Sequence, residues 1–358
     1  MKLIITSTIQ KVISNDSHTI SIKLTLISIL ICTYDRKQYI GRAVKSLLGQ
    51  DIDKQKFEIV VVKGFTDETI DEFLDANNVK TLYLNEKSLG KKIAQGIMEC
   101  RGDFICFLDD DDEFEPNKIR KLYDIIDANP DADFIHNSIS KISEDGTVID
   151  SNTSEAPHRD FSFYPNSGDY STLSKILRYR GDWYLSAMCI RKSVIELVVN
   201  ELQETNQSLD KFIFFAVLNH GKKMMMIGDK LTSYRMHQST TTYGGSESNF
   251  IAKREIFFQN TVHVFDNIAL LSRNFPGNEV AKCLLIQHKI NLFFISQENG
   301  AKVSIGQFVE YLRCLKIIRS RYQLIWISAF LIRKISIRLS RYIYYIFFKM
   351  SFGKVVTS

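Results

Sequence analysis

Short apolar runs alternate with helical patterns over the first third of the chain. The runs cover residues 27–32, 57–62, 79–84 and 103–108. Runs that are this short and nearly continuous are typical of strands buried on both faces of a parallel sheet. Helical patterns lie between them, with Thr66 and Ser88 as predicted N-caps and Pro116 in the first turn of a helix that reaches Asp127. This order predicts an α/β fold with a doubly wound, mostly parallel, Rossmann-like sheet.

The rest of the chain divides into three further parts. Residues 134–142 and 147–149 flank Glu144-Asp145-Gly146, a sequence that favours a hairpin turn, and residues 151–172 are polar and predict a long loop. From Asn249 onward the pattern is helical, broken at Pro276-Gly277 and Asn299-Gly300. We therefore expect an N-terminal extension over 1–26 of unassigned role, an α/β domain over 27–245 with halves meeting at residue 130, and a helical region over 246–358.

The composition is that of a globular protein. Hydrophobic residues make up 45% of the 358 residues and there are only five prolines, which excludes a disordered chain. Four of the six cysteines lie inside apolar runs and none forms a C-x-x-C pair, so we expect reduced core cysteines of a cytosolic protein.

The C-terminal tail carries a strong positive charge. Residues 311–358 contain ten Lys or Arg and no Asp or Glu, so the net charge of +5 leaves residues 1–310 with −5. Lys334, Arg338 and Arg341 share one helix face, and Trp326 with residues 342–345 supplies the aromatic side chains that membrane-surface helices use.

These features predict that the tail attaches to an anionic membrane surface, which would make the protein cytoplasmic and peripheral at the inner face of the cell membrane. A helical pair packed on the body, with solvated basic residues, is the alternative. A nucleic-acid partner is not expected, because no nucleic-acid-binding motif accompanies the tail. The longest uncharged stretch of the tail, residues 322–332, is eleven residues long, about half the ~20 that a spanning helix needs.

A run of four carboxylates follows the fourth predicted strand. Asp109, Asp110, Asp111 and Asp112 come directly after the apolar residues 104–108. In an open α/β sheet, ligands bind beyond the carboxyl ends of the strands, where this run must lie. Adjacent carboxylates repel one another unless a cation compensates them, and a hard divalent cation held there would bind a diphosphate. A solvated acidic turn is the plainer alternative.

Four motifs in order resemble those of family 2 glycosyltransferases, which have the GT-A fold. They are the opening strand in residues 27–36, the F-L-D-x-D-D sequence in residues 107–112, the Leu209-Asp210-Lys211-Phe212 segment, and the Y-R-x-H-x-x-S-x segment within residues 231–240. The resemblance implies a metal-dependent, inverting transfer of a sugar from a nucleotide-diphosphate sugar to a hydroxyl acceptor. It further implies Mn²⁺ or Mg²⁺ as cofactor and a glycan or lipid-linked acceptor in surface-glycan or lipid-linked oligosaccharide synthesis.

The resemblance also implies roles for single residues. Asp210 would be the general base, with Glu204 and Glu201 as competing candidates, and Asp111 would ligate the metal. His237 would be a second metal ligand or lie near the diphosphate, and a purely structural histidine is an equal alternative. The nucleotide would be bound by Thr33, Tyr34, Asp35, Asp109 and Asp110. Arg235 would contact the diphosphate, and Asp112 would support the sugar side of the site from behind.

The sequence departs from the family pattern in two places. Val62-Lys63-Gly64 stands where the family has an Asp pair, so the contact to the base is lost, moved, or replaced by Lys63 donating to a base carbonyl. Residues 90–96 replace an Ala-Arg-Asn segment, and Lys91 and Lys92 either bind a phosphate or are solvated.

Trp183 and Tyr184 begin the predicted acceptor-side wall, where they either stack on a sugar ring or pack in the core. A catalytically inactive, membrane-tethered relative that binds sugars or serves as a scaffold is the rival reading from another functional class. A prenyl-diphosphate enzyme is not expected, because its acidic motifs lie on helices and this one follows a strand.

Overall fold

The computed structural model describes residues 25–150, 156–236, 247–296, 302–318 and 323–352. The strands are β1 (Ile27–Thr33), β2 (Phe57–Lys63), β3 (Lys80–Tyr83), β4 (Phe104–Asp109), β5 (Glu113–Phe114), β6 (Ala132–Ile142), β7 (Val148–Asp150), β8 (Phe161–Phe163), β9 (Met188–Arg191) and β10 (Lys223–Arg235). The helices are α1 (Lys37–Leu48), α2 (Glu68–Ala76), α3 (Leu89–Glu99), α4 (Lys118–Ala128), α5 (Tyr170–Arg178), α6 (Lys192–Ile195), α7 (Val199–Gln203), α8 (Leu209–His220), α9 (Glu247–Leu271), α10 (Asn278–Ile295), α11 (Ile305–Ile318), α12 (Gln323–Ile335) and α13 (Ile337–Phe352).

All ten strands form a single sheet. Its main path runs β3-β2-β1-β4-β9-β6-β10-β5, with β7 paired to β6 and β8 paired to β10. Strands β1 to β4 are mutually parallel, β9 runs antiparallel between β4 and β6, and β10 is parallel to β6. The predicted doubly wound, mostly parallel sheet and its four apolar strands are confirmed.

Two apolar layers cover the faces of the sheet, because successive side chains of a strand point to opposite sides. In β1, Leu30 faces a core shared with α3 and α8, whereas Ile29 and Ile31 face a second core shared with α1 and α4. Each of these β1 side chains is at most 1% exposed. Burial on both faces is the reason that these strands have continuous apolar sequences.

Helix starts agree with the sequence in part. Ser88 caps α3 as predicted, since its hydroxyl accepts a hydrogen bond from the Lys91 N–H. The predicted cap Thr66 is wrong, because the Asp67 carboxylate takes that place and accepts from the N–H of Ile70 at 3.3 Å. Pro116 precedes α4 instead of lying in its first turn, and its carbonyl accepts from the N–H of Asp51.

The middle of the chain contains the predicted hairpin and less loop than predicted. The N–H of Ser143 donates to the carbonyl of Thr147 across the turn, and Gly146 takes a φ of +100°. The expectation of one long loop over 151–172 is wrong where β8 and α5 form. Strand β8 forms by pairing with β10, about 60 residues further along the chain, and so distant a partner leaves no local signal.

The helical C-terminal region packs on the sheet domain. Phe265 of α9 lies in the same core as α8, with its ring 5.9 Å from that of Phe215. The predicted break at Pro276-Gly277 separates α9 from α10, whereas Asn299-Gly300 and the predicted boundary at residue 245 lie outside the described residues. Within the described parts of the chain, no helix is both long enough and apolar enough to cross a membrane. The three-part division of the chain stays a prediction.

The expectation of reduced cysteines is wrong for two of the six. Cys283 of α10 and Cys314 of α11 form a disulfide with a Cα–Cα distance of 5.3 Å, while Cys32, Cys100, Cys106 and Cys189 are free. The packing of α10 against α11 brings the two thiols together. Their separation of 31 residues along the chain gives no hint of this pairing.

Candidate functional site

Three parallel strands end side by side at the candidate site. Thr33 at the end of β1 pairs with Lys63 at the end of β2, and Cys32 pairs with Asp109 at the end of β4. The chain order reverses between β1 and β4, since β2 and β3 lie on one side of β1 and β4 on the other. A crevice at such a reversal is where ligands bind in open α/β sheets.

The acidic run lies at this crevice, mostly buried. Asp110, Asp111 and Asp112 are buried and Asp109 is partly exposed. Asp112 accepts a hydrogen bond from the Ser186 hydroxyl at 2.6 Å and another from the backbone N–H of Arg235 at 2.9 Å. This one carboxylate therefore ties the acidic run to the 3-10 turn Leu185–Ala187 and to the end of β10.

The acidic run carries more negative charge than its surroundings compensate. Burial and the neighbouring Asp111 carboxylate raise the pKa of Asp109 to about 7. Burial likewise raises the pKa of Asp110 to about 6, although Arg36 opposes this shift, and burial raises the pKa of Asp112. Carboxylates in this condition favour a bound cation.

An arginine that the sequence reading missed supplies part of the compensation. The Arg36 guanidinium pairs with one oxygen of Asp110 and one of Asp111, while its own side chain is about one-third exposed. Arg36 directly precedes α1, so the end of β1 aims it at the end of β4. Arg36 is the last residue of the motif at residues 27–36, and that position was the available signal.

The predicted nucleotide-binding residues Thr33, Tyr34 and Asp35 form a turn beside a buried lysine; we call it the base-binding turn. The Lys92 ammonium donates to the carbonyl of Thr33 at 2.9 Å and lies 4.6 Å from the centre of the half-exposed Tyr34 ring. Lys92 is buried, so it is not a solvated lysine, and its predicted phosphate contact stays a prediction. Asp35 is exposed beside this turn. A Cβ at Gly64 would lie 2.9 Å from the Lys92 nitrogen, which accounts for the glycine.

Two other lysines at this edge are also occupied by protein groups. The Lys63 ammonium donates to the carbonyl of Phe65 at 2.9 Å and pairs with Asp71 of α2 at 2.6 Å. The predicted donation from Lys63 to a base carbonyl stays a prediction, and it would require the ammonium to exchange one of these partners. Lys91 pairs with Glu86 at 3.4 Å on the surface. This contact agrees with the alternative that Lys91 is a solvated lysine.

Asp210 lies in the first turn of α8. Its carboxylate accepts from the N–H of Lys211 at 2.9 Å, and burial with nearby Asp182 raises its pKa. The Asp210 charge in turn makes a small contribution to the raised pKa of Asp109, so the two carboxylates are within electrostatic reach of each other. The competing candidates Glu204 and Glu201 are both exposed to solvent.

A buried ion pair underlies the predicted acceptor-side wall. The Lys211 ammonium lies 3.0 Å from the Asp182 carboxylate and 4.1 Å from the centre of the Trp183 ring. Tyr184 takes a φ of +63°, which is strained for a residue with a side chain, and its ring meets that of Tyr234 edge-on at 5.0 Å. Trp183 and Tyr184 are both partly exposed, so each has surface left for a ligand.

Arg235 lies behind the acidic run. Its guanidinium is buried and donates to the carbonyls of Asp111, Ser143 and Glu144, and it pairs with Glu113. These bonds join the β6–β7 hairpin to the acidic run. Two elements distant in sequence thus place four oxygens around the guanidinium. The predicted diphosphate contact of Arg235 stays a prediction.

A second buried lysine lies beneath the site and was also missed. The Lys118 ammonium donates to the Ser186 carbonyl at 2.6 Å and to the Thr232 hydroxyl at 2.8 Å. Burial lowers the pKa of Lys118 to about 7. Its position at the start of α4 identified it only as a helix residue, and nothing local indicated burial.

The residues around the crevice suit a hard divalent cation. In the part of the chain that the structure describes, no three His, Cys, Asp or Glu side chains form a ready ligand set, and His237 lies outside that part. The Arg36 guanidinium instead lies on the carboxylates of Asp110 and Asp111. Carboxylate oxygens are the ligands that Mg²⁺ and Mn²⁺ prefer, and a bound cation would oppose the rise in pKa that burial causes at Asp109 and Asp110.

Comparison with solved structures identifies the fold. The fold is that of GT-A proteins, since a crystal structure of Staphylococcus aureus TarS residues 1–349 in complex with UDP-GlcNAc superposes with a TM-score of 0.53. That alignment covers 81% of this chain and 79% of the other, at 17% identity.

A family model matches part of the sequence. Residues 28–184 match the model of glycosyl transferase family 2. An uncharacterised glycosyltransferase of Haemophilus influenzae is 30% identical over 31% of this chain and 38% of its own length. The putative glycosyltransferase EpsH of Bacillus subtilis is 22% identical over 67% and 70%. The chain spans only 38%, 18% and 21% of the length of three curated relatives that it matches.

Proposed function

We propose that the protein is a metal-dependent, inverting glycosyltransferase that moves a sugar from a nucleotide-diphosphate donor to a hydroxyl acceptor. One observation carries the proposal. A segment that matches the family 2 model presents the acidic run Asp109–Asp112 at the end of a parallel strand, and the Asp210 carboxylate of α8 is within electrostatic reach of Asp109.

The donor side is the crevice at the ends of β1, β2 and β4. The half-exposed Tyr34 ring offers a face on which a base stacks, and Lys92 fixes that ring from behind. Asp109, partly exposed at the strand end, is placed to accept hydrogen bonds from a ribose. Neighbouring structures contain UDP or UDP-GlcNAc, which supports a nucleotide sugar as the donor class.

Asp111 is the residue we assign to the metal, with Asp109 beside it and His237 as a second candidate ligand. A bound Mn²⁺ or Mg²⁺ would supply positive charge for the diphosphate leaving group. Asp112 holds the acidic run from behind through Ser186 and Arg235. Such a cation would compete with Arg36 for the Asp111 carboxylate, because the guanidinium already pairs with one of its oxygens.

Asp210 is the proposed general base. Its raised pKa makes the carboxylate a better proton acceptor than an exposed one. It takes the proton of the acceptor hydroxyl while the oxygen attacks the anomeric carbon from the face opposite the leaving diphosphate. A single displacement of this kind inverts the anomeric centre. Trp183 and Tyr184 contribute the surface on which the acceptor sugar stacks.

The acceptor is a glycan or lipid-linked sugar in surface-glycan or lipid-linked oligosaccharide synthesis, with the protein peripheral at the inner face of the membrane. The basic C-terminal region and the absence of acidic residues from 311 onward support this placement.

A thermal-shift screen of nucleotide diphosphates, with and without Mn²⁺, tests the donor and the metal together. A ligand that binds only the folded state raises the melting temperature by mass action, so one nucleotide should stand out and should need Mn²⁺. Asp111→Asn should lose the Mn²⁺-dependent part of the shift and keep its fold, while Asp124→Asn, the same change at an exposed position of α4, should keep the whole shift. An unchanged Mn²⁺-dependent shift in Asp111→Asn would exclude Asp111 as a metal ligand. Transfer of sugar from the selected donor then separates an enzyme from an inactive relative.

A further inference from the structure

One face of the last two helices exposes a row of large apolar side chains. Leu331, Ile335, Leu339 and Tyr342 are 58%, 85%, 48% and 50% exposed. They recur at spacings of four, four and three residues, which is one face of a helix. The row continues across the junction of α12 and α13, because the N–H of Ser336 donates to the Ile332 carbonyl and its own carbonyl accepts from Ser340 in helical register.

A basic row runs beside the apolar one. Lys334 and Arg338 are exposed and Arg341 is partly exposed, each one residue before or after a member of the apolar row. No Asp or Glu occurs between residues 311 and 358 to neutralise this face. Positive side chains that border an exposed apolar row are the arrangement of helices that lie in a membrane interface.

The opposite side of these helices is fixed to the body. Arg333 donates to the carbonyl of Ser296 at 2.7 Å. Phe330 and Tyr344 are buried in an apolar cluster of the helical region, together with Phe293 of α10. Because this side is packed, the apolar row points outward in a fixed orientation. The exposed row is thus a face of the folded protein, distinct from the residues that hold the helices in place.

We propose that the face formed by Leu331, Ile335, Leu339 and Tyr342, with Lys334, Arg338 and Arg341 beside them, docks on an anionic lipid bilayer. This inference rests on the membrane placement in the proposed function and names the surface that carries it. The basic row selects anionic lipid over a second copy of the chain, because two such faces would bring like charges together. The apolar row enters the interface and the basic side chains meet the lipid headgroups.

Flotation of the full chain with liposomes tests the face. Wild type should float with vesicles of phosphatidylcholine and phosphatidylglycerol and far less with phosphatidylcholine alone. In the double variant Ile335→Glu/Leu339→Glu, the fraction of protein that floats with the anionic vesicles should fall at least tenfold. Lys334→Gln/Arg338→Gln should weaken binding to the anionic vesicles and leave any binding to neutral vesicles unchanged. The matched control is Leu197→Glu, the same change at a 63% exposed leucine of the sheet domain, which should float like wild type.

Two outcomes overturn the proposal. One is flotation of Ile335→Glu/Leu339→Glu equal to that of wild type. The other is a wild-type dimer in solution that the same double variant converts to a monomer with no change in flotation, which would assign the face to a second copy. The nucleotide thermal shift, measured on the same preparations, keeps the two proposals apart. Lost flotation with an intact shift concerns the docking face alone, and an absent shift in every protein concerns the glycosyltransferase proposal alone.

Discussion

Replacing the buried lysine beneath the site should make folding stability less dependent on pH. Lys118 has a pKa of about 7 in the folded protein and about 10.4 in an unfolded chain. Between these values the unfolded state binds more protons, so the free energy of unfolding rises with pH. Below about pH 7 the ammonium is charged in both states and its full destabilisation is present. That destabilisation disappears as the pH approaches the unfolded value.

The variant Lys118→Met removes this titration while keeping most of the volume. The Ser186 carbonyl stays satisfied, because the Thr232 hydroxyl donates to it at 3.1 Å. Lys118→Met should therefore be more stable than wild type at pH 7, and the gap should close by about 2 kcal/mol between pH 7 and pH 9.

Urea unfolding of both proteins at pH 7, 8 and 9 measures the gap directly, because taking the difference cancels all other titrating groups. Lys87→Met, the same change at an exposed position, is the control and should give a constant gap. A gap for Lys118→Met that stays constant across this range would mean that the buried ammonium has an ordinary pKa, and the reasoning would be refuted.

Three further predictions concern the crevice itself. Asp210→Asn should lower sugar transfer by roughly 10²–10⁴-fold and leave nucleotide affinity intact; near-normal transfer beside an inactive Glu204→Gln would reassign the base. Arg36→Gln should bind Mn²⁺ several-fold more tightly without nucleotide in calorimetry, because the guanidinium that covers two carboxylates is gone; equal or weaker binding would contradict that competition. Gly64→Ala should weaken nucleotide binding in the thermal-shift assay, since its Cβ would crowd the buried ammonium beside the base-binding turn, whereas Gly41→Ala, which has nothing within 4 Å, should bind normally.

The elements that the sequence predicted correctly are those with a local cause. Strands β1, β2 and β4 are buried on both faces, so their own residues record their environment, and Ser88 marks a helix start through one neighbouring N–H. The acidic run was located because its position at a strand end follows from the strand order. Asp210 could be singled out from the apolar helix that follows it, and the structure places it in the first turn of that helix.

The protein contacts of the basic side chains could not be predicted from the sequence. Lys63, Lys92 and Arg235 were each assigned to the ligand, and the structure shows each of them bonded to protein groups that come from other parts of the chain. A long cationic side chain has no local signature that tells a ligand contact from a backbone carbonyl, because both offer an oxygen. Only the tertiary arrangement decides between them.

The bond pattern of Asp112 has a mechanical consequence for the crevice. One carboxylate holds the turn of Ser186, which follows Trp183 and Tyr184, and also holds the last residue of β10. Asp112 thereby links the acidic run, the turn after the acceptor-side wall and the end of β10. We expect changes in the width of the crevice to come from groups that Asp112 does not bond, namely the partly exposed Arg36 and the first turn of α8.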